Sequence, residues 1–215
     1  MTQSITTTTS RRRTTHGQQT RQTILKVAVD VASIEGLEGL SIGRLASELG
    51  MSKSGLFAHF GSKEELQLAV IDTAREIFAA EVIQPAYSAQ PGIARLEALM
   101  TAWLSYGERK VFRGGCFFAA VAVEFDSRPG VVRDRIAELI QQWLETVSQI
   151  IQEAKDLGEV TPDVDAAQLA FELHTTLWGA NGLLQLLNNE QIVTQTKTAI
   201  TQRLQRIKLP KPLEG

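Results

Sequence analysis

Apolar residues recur at helical spacing from about residue 21 to residue 207, and no stretch alternates with a two-residue period between hairpin turns. The pattern predicts an all-α protein. Ile24, Ala28, Val31 and Ala32 form one stripe of a first helix over 21–35, which Gly36 stops, with Gly39 keeping the connection open. Ser41 then stands as an N-cap ahead of Ile42, Leu45, Ala46 and Leu49, an i, i+3, i+4, i+7 face. Gly50 ends that helix in a tight turn, and Ser52 caps a short one over 53–60. Met51 and Leu56 take the two positions of a hydrophobic staple. Gly61 closes the short helix, and Ser62 with Glu65 makes a capping box that opens a long one reaching about Ile83. Pro85, Pro91 and Gly92 interrupt the pattern, so a boundary is expected near residue 84. Further helices are expected over 92–110, 114–125, 129–157, 163–187 and 189–207. No repeat of 20–50 residues is present.

Two short helices joined by a tight glycine-containing turn make a helix-turn-helix. Leu56 and Phe60 anchor the second of them, leaving Lys53, Ser54 and His59 outward. In this motif the start of the second helix meets base edges while flanking groups hold phosphates. Gly55 has no side chain, so the backbone can come close to the groove.

The formal net charge of −2 argues at first against a nucleic-acid partner. Its distribution reverses that. Residues 1–63 hold eight Lys or Arg against four Asp or Glu, and the rest of the chain is acidic. Thr fills eight of positions 2–20, and Arg11, Arg12 and Arg13 lie within this polar segment, so 1–19 is expected to be a disordered basic arm. A solvated tail and an arm entering a minor groove both fit that composition. Arg11–Arg13 are followed by no apolar stretch, so no secretory signal is expected, and the longest apolar run, Cys116 to Val123, is too short for a membrane span. Cys116 is the one cysteine, which fits a reducing interior. A soluble cytoplasmic protein without membrane association is the expectation, with residues 208–215 a flexible tail.

Leu45-Ala46, Leu49-Gly50-Met51-Ser52, Gly55-Leu56-Phe57-Ala58-His59-Phe60 and Lys63-Glu64-Glu65-Leu66 closely resemble the DNA-binding segment of TetR-family transcriptional regulators. The resemblance covers about Thr20 to Val70, roughly a quarter of the chain. It implies a three-helix DNA-binding head over 20–66, joined by a long helix to a larger ligand-binding and dimerisation body over 67–207. By position, Ser41 would touch phosphate, and Arg44 would face backbone or base. Ser52, Lys53 and Ser54 would meet the major groove with Gly55 allowing close approach, and His59 and Lys63 would grip phosphates. Phe57 departs from the family's usual Tyr and cannot donate a hydroxyl, so packing or an apolar contact with a sugar or thymine methyl is expected of it. The partners implied are a palindromic double-stranded operator, a second copy of the chain and a small-molecule effector that releases the repressor from DNA.

In that family the body helices enclose the ligand cavity. Candidate lining residues here are the aromatics Trp103, Tyr106, Phe117, Trp143, Phe171 and Trp178, and the polar residues Glu124, His174 and Asn181 set within apolar helices. Ordinary core packing fits each aromatic as well, and a satisfied core histidine fits His174. The helix over 163–187 is apolar on two sides and must be covered twice, by its own body and by a partner. With Ile192, Ala199, Ile200 and Leu204 of the last helix it would form a four-helix dimer interface. Cys116 reads as a small buried residue, with redox sensing the alternative. A helical adaptor without a small-molecule effector is the other alternative. The three histidines lie on separate segments, and no phosphate-cradling glycine loop or serine elbow is present, so neither an enzyme nor a cofactor or metal site is expected.

Overall fold

A computed structural model of the chain describes residues 7–210, with side chains from residue 17 onward. Residues 1–6 and 211–215, and the side chains of Arg11, Arg12 and Arg13 in the expected arm, lie outside the described residues. The fold is a run of helices: α1 (Thr7–Gly39), α2 (Ile42–Leu49), α3 (Lys53–Phe57), α4 (Lys63–Phe78), a π-helical turn (Ala79–Ile83), α5 (Gln84–Tyr87), α6 (Ile93–Glu108), α7 (Phe117–Phe125), α8 (Val131–Asp156), α9 (Ala166–Leu187) and α10 (Gln191–Gln205). Among the described residues there is no strand, only an isolated bridge between Val160 and Lys208.

The first helix departs from expectation at its start. It begins at Thr7, well before residue 21, so most of the segment that composition assigns to a disordered arm is helical. Gln and Arg propagate a helix once Ile24, Leu25 and Ala28 have anchored it in the core. At the other end Gly36 takes a non-helical conformation, φ 74° and ψ 170°, so the regular helix breaks where the glycine predicts and a short further turn runs on to Gly39. An L side chain rarely adopts that conformation.

The head follows the capping signals. Ser41, Ser52 and Ser62 accept the N–H groups of Arg44, Gly55 and Glu65, and Gly50 returns its N–H to the carbonyls of Ala46 and Ser47. Leu45, Leu56, Phe60 and Leu66 are buried between these short helices and α1. The long fourth helix does not stop near residue 84. It passes through the π turn into α5, where Pro85, which has no N–H to give, follows directly on the π turn.

In the body, α9 buries Leu169, Ala170, Leu173 and Leu177 against its own chain and leaves Phe171, Leu183, Leu186 and Leu187 exposed. The apolar stripe of α10, expected at a dimer interface, is largely internal. Ile192, Ile200 and Leu204 are buried within the chain itself. That correction leaves the outer face of α9 as an uncovered apolar surface.

Candidate functional site

The α2–turn–α3 unit presents its polar face outward. Ser52, Lys53 and Ser54 are exposed at the start of α3, with the Ser52 and Ser54 hydroxyl oxygens 3.4 Å apart. The Gly55 N–H is spent on Ser52 Oγ at 3.1 Å. Ser41 caps through a lone pair, so its O–H stays available to donate to a phosphate oxygen, while the Ser52 and Ser54 hydroxyls share one contact. Phe57 is 50% exposed, which removes packing as its explanation and leaves an open ring beside the polar cluster. His59 is half-buried with its ring 6.3 Å from that of Phe60, over which the Arg21 guanidinium stands at 4.9 Å.

Two of the expected DNA contacts are already engaged. Arg44 bonds Glu48 at 2.6 Å and Glu35 at 3.1 Å. Lys63 donates to the Glu38 carbonyl at 3.1 Å and its carboxylate at 3.0 Å. Gln67 adds bonds to the Leu37 carbonyl and to Glu38. The Lys63 bond, then that of Gln67, holds the Glu38 carboxyl below its usual range. Arg44 has five N–H donors and Lys63 three, so each keeps a donor for a phosphate beside its carboxylate partners. Arg44 and Glu48 stand at i, i+4 spacing on one helix, whereas the Glu35 and Glu38 contacts reach between helices and left no sign in the spacing.

The body holds a cavity of about 190 Å³ between α4, the π turn, α6, α7, α8 and α9. Of the expected residues, Trp103, Trp143, His174 and Trp178 line it, joined by Phe78 and Phe118. Phe78 stands edge-on to Trp143 at 5.3 Å, and the His174 and Trp178 rings are 4.7 Å apart. Burial lowers the pKa of His174, favouring the neutral imidazole, and pushes the Cys116 thiol up to about 11. A thiol so held is not a thiolate at neutral pH, which disfavours the redox-sensor alternative.

The other expected lining residues sit elsewhere. Tyr106 and Phe117 are core, both packed on Phe112. Phe171 faces outward, 54% exposed. Asn181 accepts the Cys116 N–H at 2.9 Å and so fixes the start of α7. Glu124, at the far end of α7, accepts the N–H groups of Leu37 at 2.7 Å and Glu38 at 2.9 Å, just past the α1 kink.

That last contact belongs to a wider seam. Arg113 bonds Asp30 through its backbone and side chain, and the Gly114 N–H donates to Ser33 Oγ at 3.0 Å. A Cβ at Gly114 would stand 1.9 Å from the Ser33 carbonyl oxygen, so only glycine permits this approach. The same α7 that walls the cavity with Phe118 and Ala119 therefore grips the head through Glu124.

A helix-turn-helix head with an exposed reading surface, locked to a helical body that holds an aromatic cavity, defines a DNA-binding transcriptional regulator. The chain belongs to the TetR family. Residues 92–200 match the model of the tetracyclin repressor-like C-terminal domain, and residues 24–70 match that of the bacterial regulatory proteins of the tetR family. A TetR transcriptional regulator from Chloroflexus aurantiacus is 28% identical, with a TM-score of 0.85 over 91% of this chain and 99% of its own. One from Cytophaga hutchinsonii shares the fold at 20% identity, with a TM-score of 0.80 over 91% and 98% of the two chains. The HTH-type transcriptional repressor DhaR of Mycobacterium sp. (strain GP1) is 23% identical over 189 residues, which are 86% of this chain and 91% of DhaR. Among the described residues no helix is long and apolar enough to cross a membrane.

Proposed function

We propose that the protein is a cytoplasmic repressor that binds a palindromic operator as a homodimer and leaves it when a small molecule enters the cavity. The observation that carries this reading is the double duty of α7. Cys116, Phe118 and Ala119 meet the cavity at its start, and Glu124 holds the head at its end. A ligand that displaces the start of α7 moves the group that fixes the α1–α2 connection. The π turn supports the same reading, because Ala79 and Ile83 line the cavity on the helical path leading back to the head. Repression as the sign of control is supported by the likeness to DhaR, a named repressor.

Dimerisation is supported by the outer face of α9. Phe171, Leu183 and Leu186 are exposed there, and open space surrounds Gly179 and Gly182 on the same side, so a partner helix could come close. A two-fold dimer through α9 presents two heads to the two halves of a palindrome. Selection of duplexes from a random pool, followed by mass measurement of the complex, tests the reading. An enriched inverted repeat carrying two chains, with half-sites about one helical turn apart or a multiple of it, is the expected result. An enriched site carrying one chain, or no enriched sequence, contradicts it.

A further inference from the structure

The cavity's chemistry narrows the class of molecule it takes, given the reading of that cavity as the effector site. Its wall is dominated by rings, Trp103, Trp143, Trp178, Phe78 and Phe118, several set edge-to-face. Such walls favour a flat aromatic body, and an apolar cavity of about 150 Å³ already suffices for benzene. No Asp or Glu lines the cavity, so nothing there neutralises a cationic ligand.

One lining residue carries a fixed charge. Arg75, half exposed on α4, has a single carboxylate within 4 Å among the described residues, that of its neighbour Glu76 at 3.8 Å. The body's cross-helix arginines are held far more tightly. Arg95 has Glu153 at 2.9 Å, Arg109 has Glu81 at 2.8 Å, Arg135 has Asp72 at 2.7 Å and Arg203 has Glu172 at 2.7 Å. Asp72, one turn before Arg75, is therefore already taken. Arg75, held only by the long contact to Glu76, thus brings a guanidinium fork to an aromatic cavity, where it matches a carboxylate in bidentate geometry. Thr146 gives its hydroxyl proton to the Gln142 carbonyl at 2.8 Å and turns a lone pair to any ligand donor.

We propose that the cavity binds a small planar aromatic acid, its ring among the tryptophans and its carboxylate on Arg75. The chain has three tryptophans and all three line the cavity, so intrinsic fluorescence reads occupancy directly. The test titrates the full-length protein with naphthoate, naphthamide and naphthylmethyl-trimethylammonium, using wild type, Arg75→Gln and Arg75→Lys. Naphthoate should bind wild type at least about tenfold more tightly than naphthamide. Arg75→Gln should erase that preference without changing naphthamide affinity, and Arg75→Lys should restore part of it. Equal affinity for acid and amide, tightest binding of the cation, a preference surviving in Arg75→Gln, or no binding of any probe overturns the proposal. DNA affinity measured alongside separates the two claims. Arg75-dependent naphthoate binding that leaves DNA affinity unchanged refutes the effector role but not the ligand class. Release of DNA by both probes together with equal affinity for naphthamide and naphthoate refutes the ligand class but not the effector role.

Discussion

The carboxylate of Glu124 accepts the backbone N–H of Leu37 at 2.7 Å, and that of Glu38 beside it, so the end of α7 caps the chain just past the Gly36 kink. Residues 87 positions apart in sequence thereby join the sensing body to the reading head. A charged acceptor bridging two backbone donors is a strong tie, worth about 1.5–3 kcal/mol per bond.

Glu124→Ala should therefore lower the melting temperature, at a cost of about 2–4 kcal/mol once relaxation and water access are allowed for. Duplex binding by the folded variant should persist, because no base-facing residue is touched, while its response to a cavity ligand weakens. Thermal unfolding and ligand-dependent anisotropy check the two halves. A variant as responsive as wild type would show that the signal travels elsewhere.

Leu186 is 80% exposed on the outer face of α9. Leu186→Glu should leave the fold of the chain unchanged and shift the protein towards monomer, because burying a charge on a two-fold face places two like charges together. Sedimentation should show half the mass, and affinity for a palindromic duplex should fall at least tenfold while affinity for a half-site is kept. A variant that stays dimeric would move the interface off this face.

Burial lowers the pKa of His174 from 6.5, so the folded state takes up that proton less readily than the unfolded one. Stability should be level above pH 6.5 and fall as the pH drops below it. The carboxyls of Glu38 and Glu172, lowered by Lys63 and Arg203 respectively, lose their contribution only below their ordinary value of 4.5. The window between those values therefore isolates the histidine. Melting curves of wild type and His174→Gln should diverge there, with the variant less sensitive to acid. Identical slopes would mean that the histidine is not desolvated in solution.

Much of the head was legible because its signals are local. Ser41, Ser52 and Ser62 cap the helices they precede, and Gly50 makes the turn between the two short ones. The body yielded less. Trp103, Trp143, His174 and Trp178 were found by residue type, but Glu124 and Asn181 looked identical to them in sequence. Both turned out to hold backbone N–H groups on other segments. A polar residue in an apolar helix signals a partner without saying whether that partner is ligand or main chain. The π turn at Ala79–Ile83 left no mark, since one extra residue per turn barely shifts the apolar period. The Arg44–Glu35 and Lys63–Glu38 pairs were equally silent, because they join separate helices, whereas the i, i+4 spacing of Arg44 and Glu48 stood in the sequence.

The central claim is that the start of α3 reads DNA sequence. Anisotropy of a selected duplex and its scrambled counterpart, titrated across salt concentrations with wild type, Lys53→Ala, Ser54→Ala and Lys63→Ala, tests it most directly. Lys53→Ala and Ser54→Ala should narrow the gap between the two duplexes, by about 1–3 kcal/mol where a base contact is lost. Lys63→Ala should weaken both duplexes alike and reduce the salt slope by about one. Lys53→Ala and Ser54→Ala variants that discriminate between the duplexes as wild type does would contradict the account.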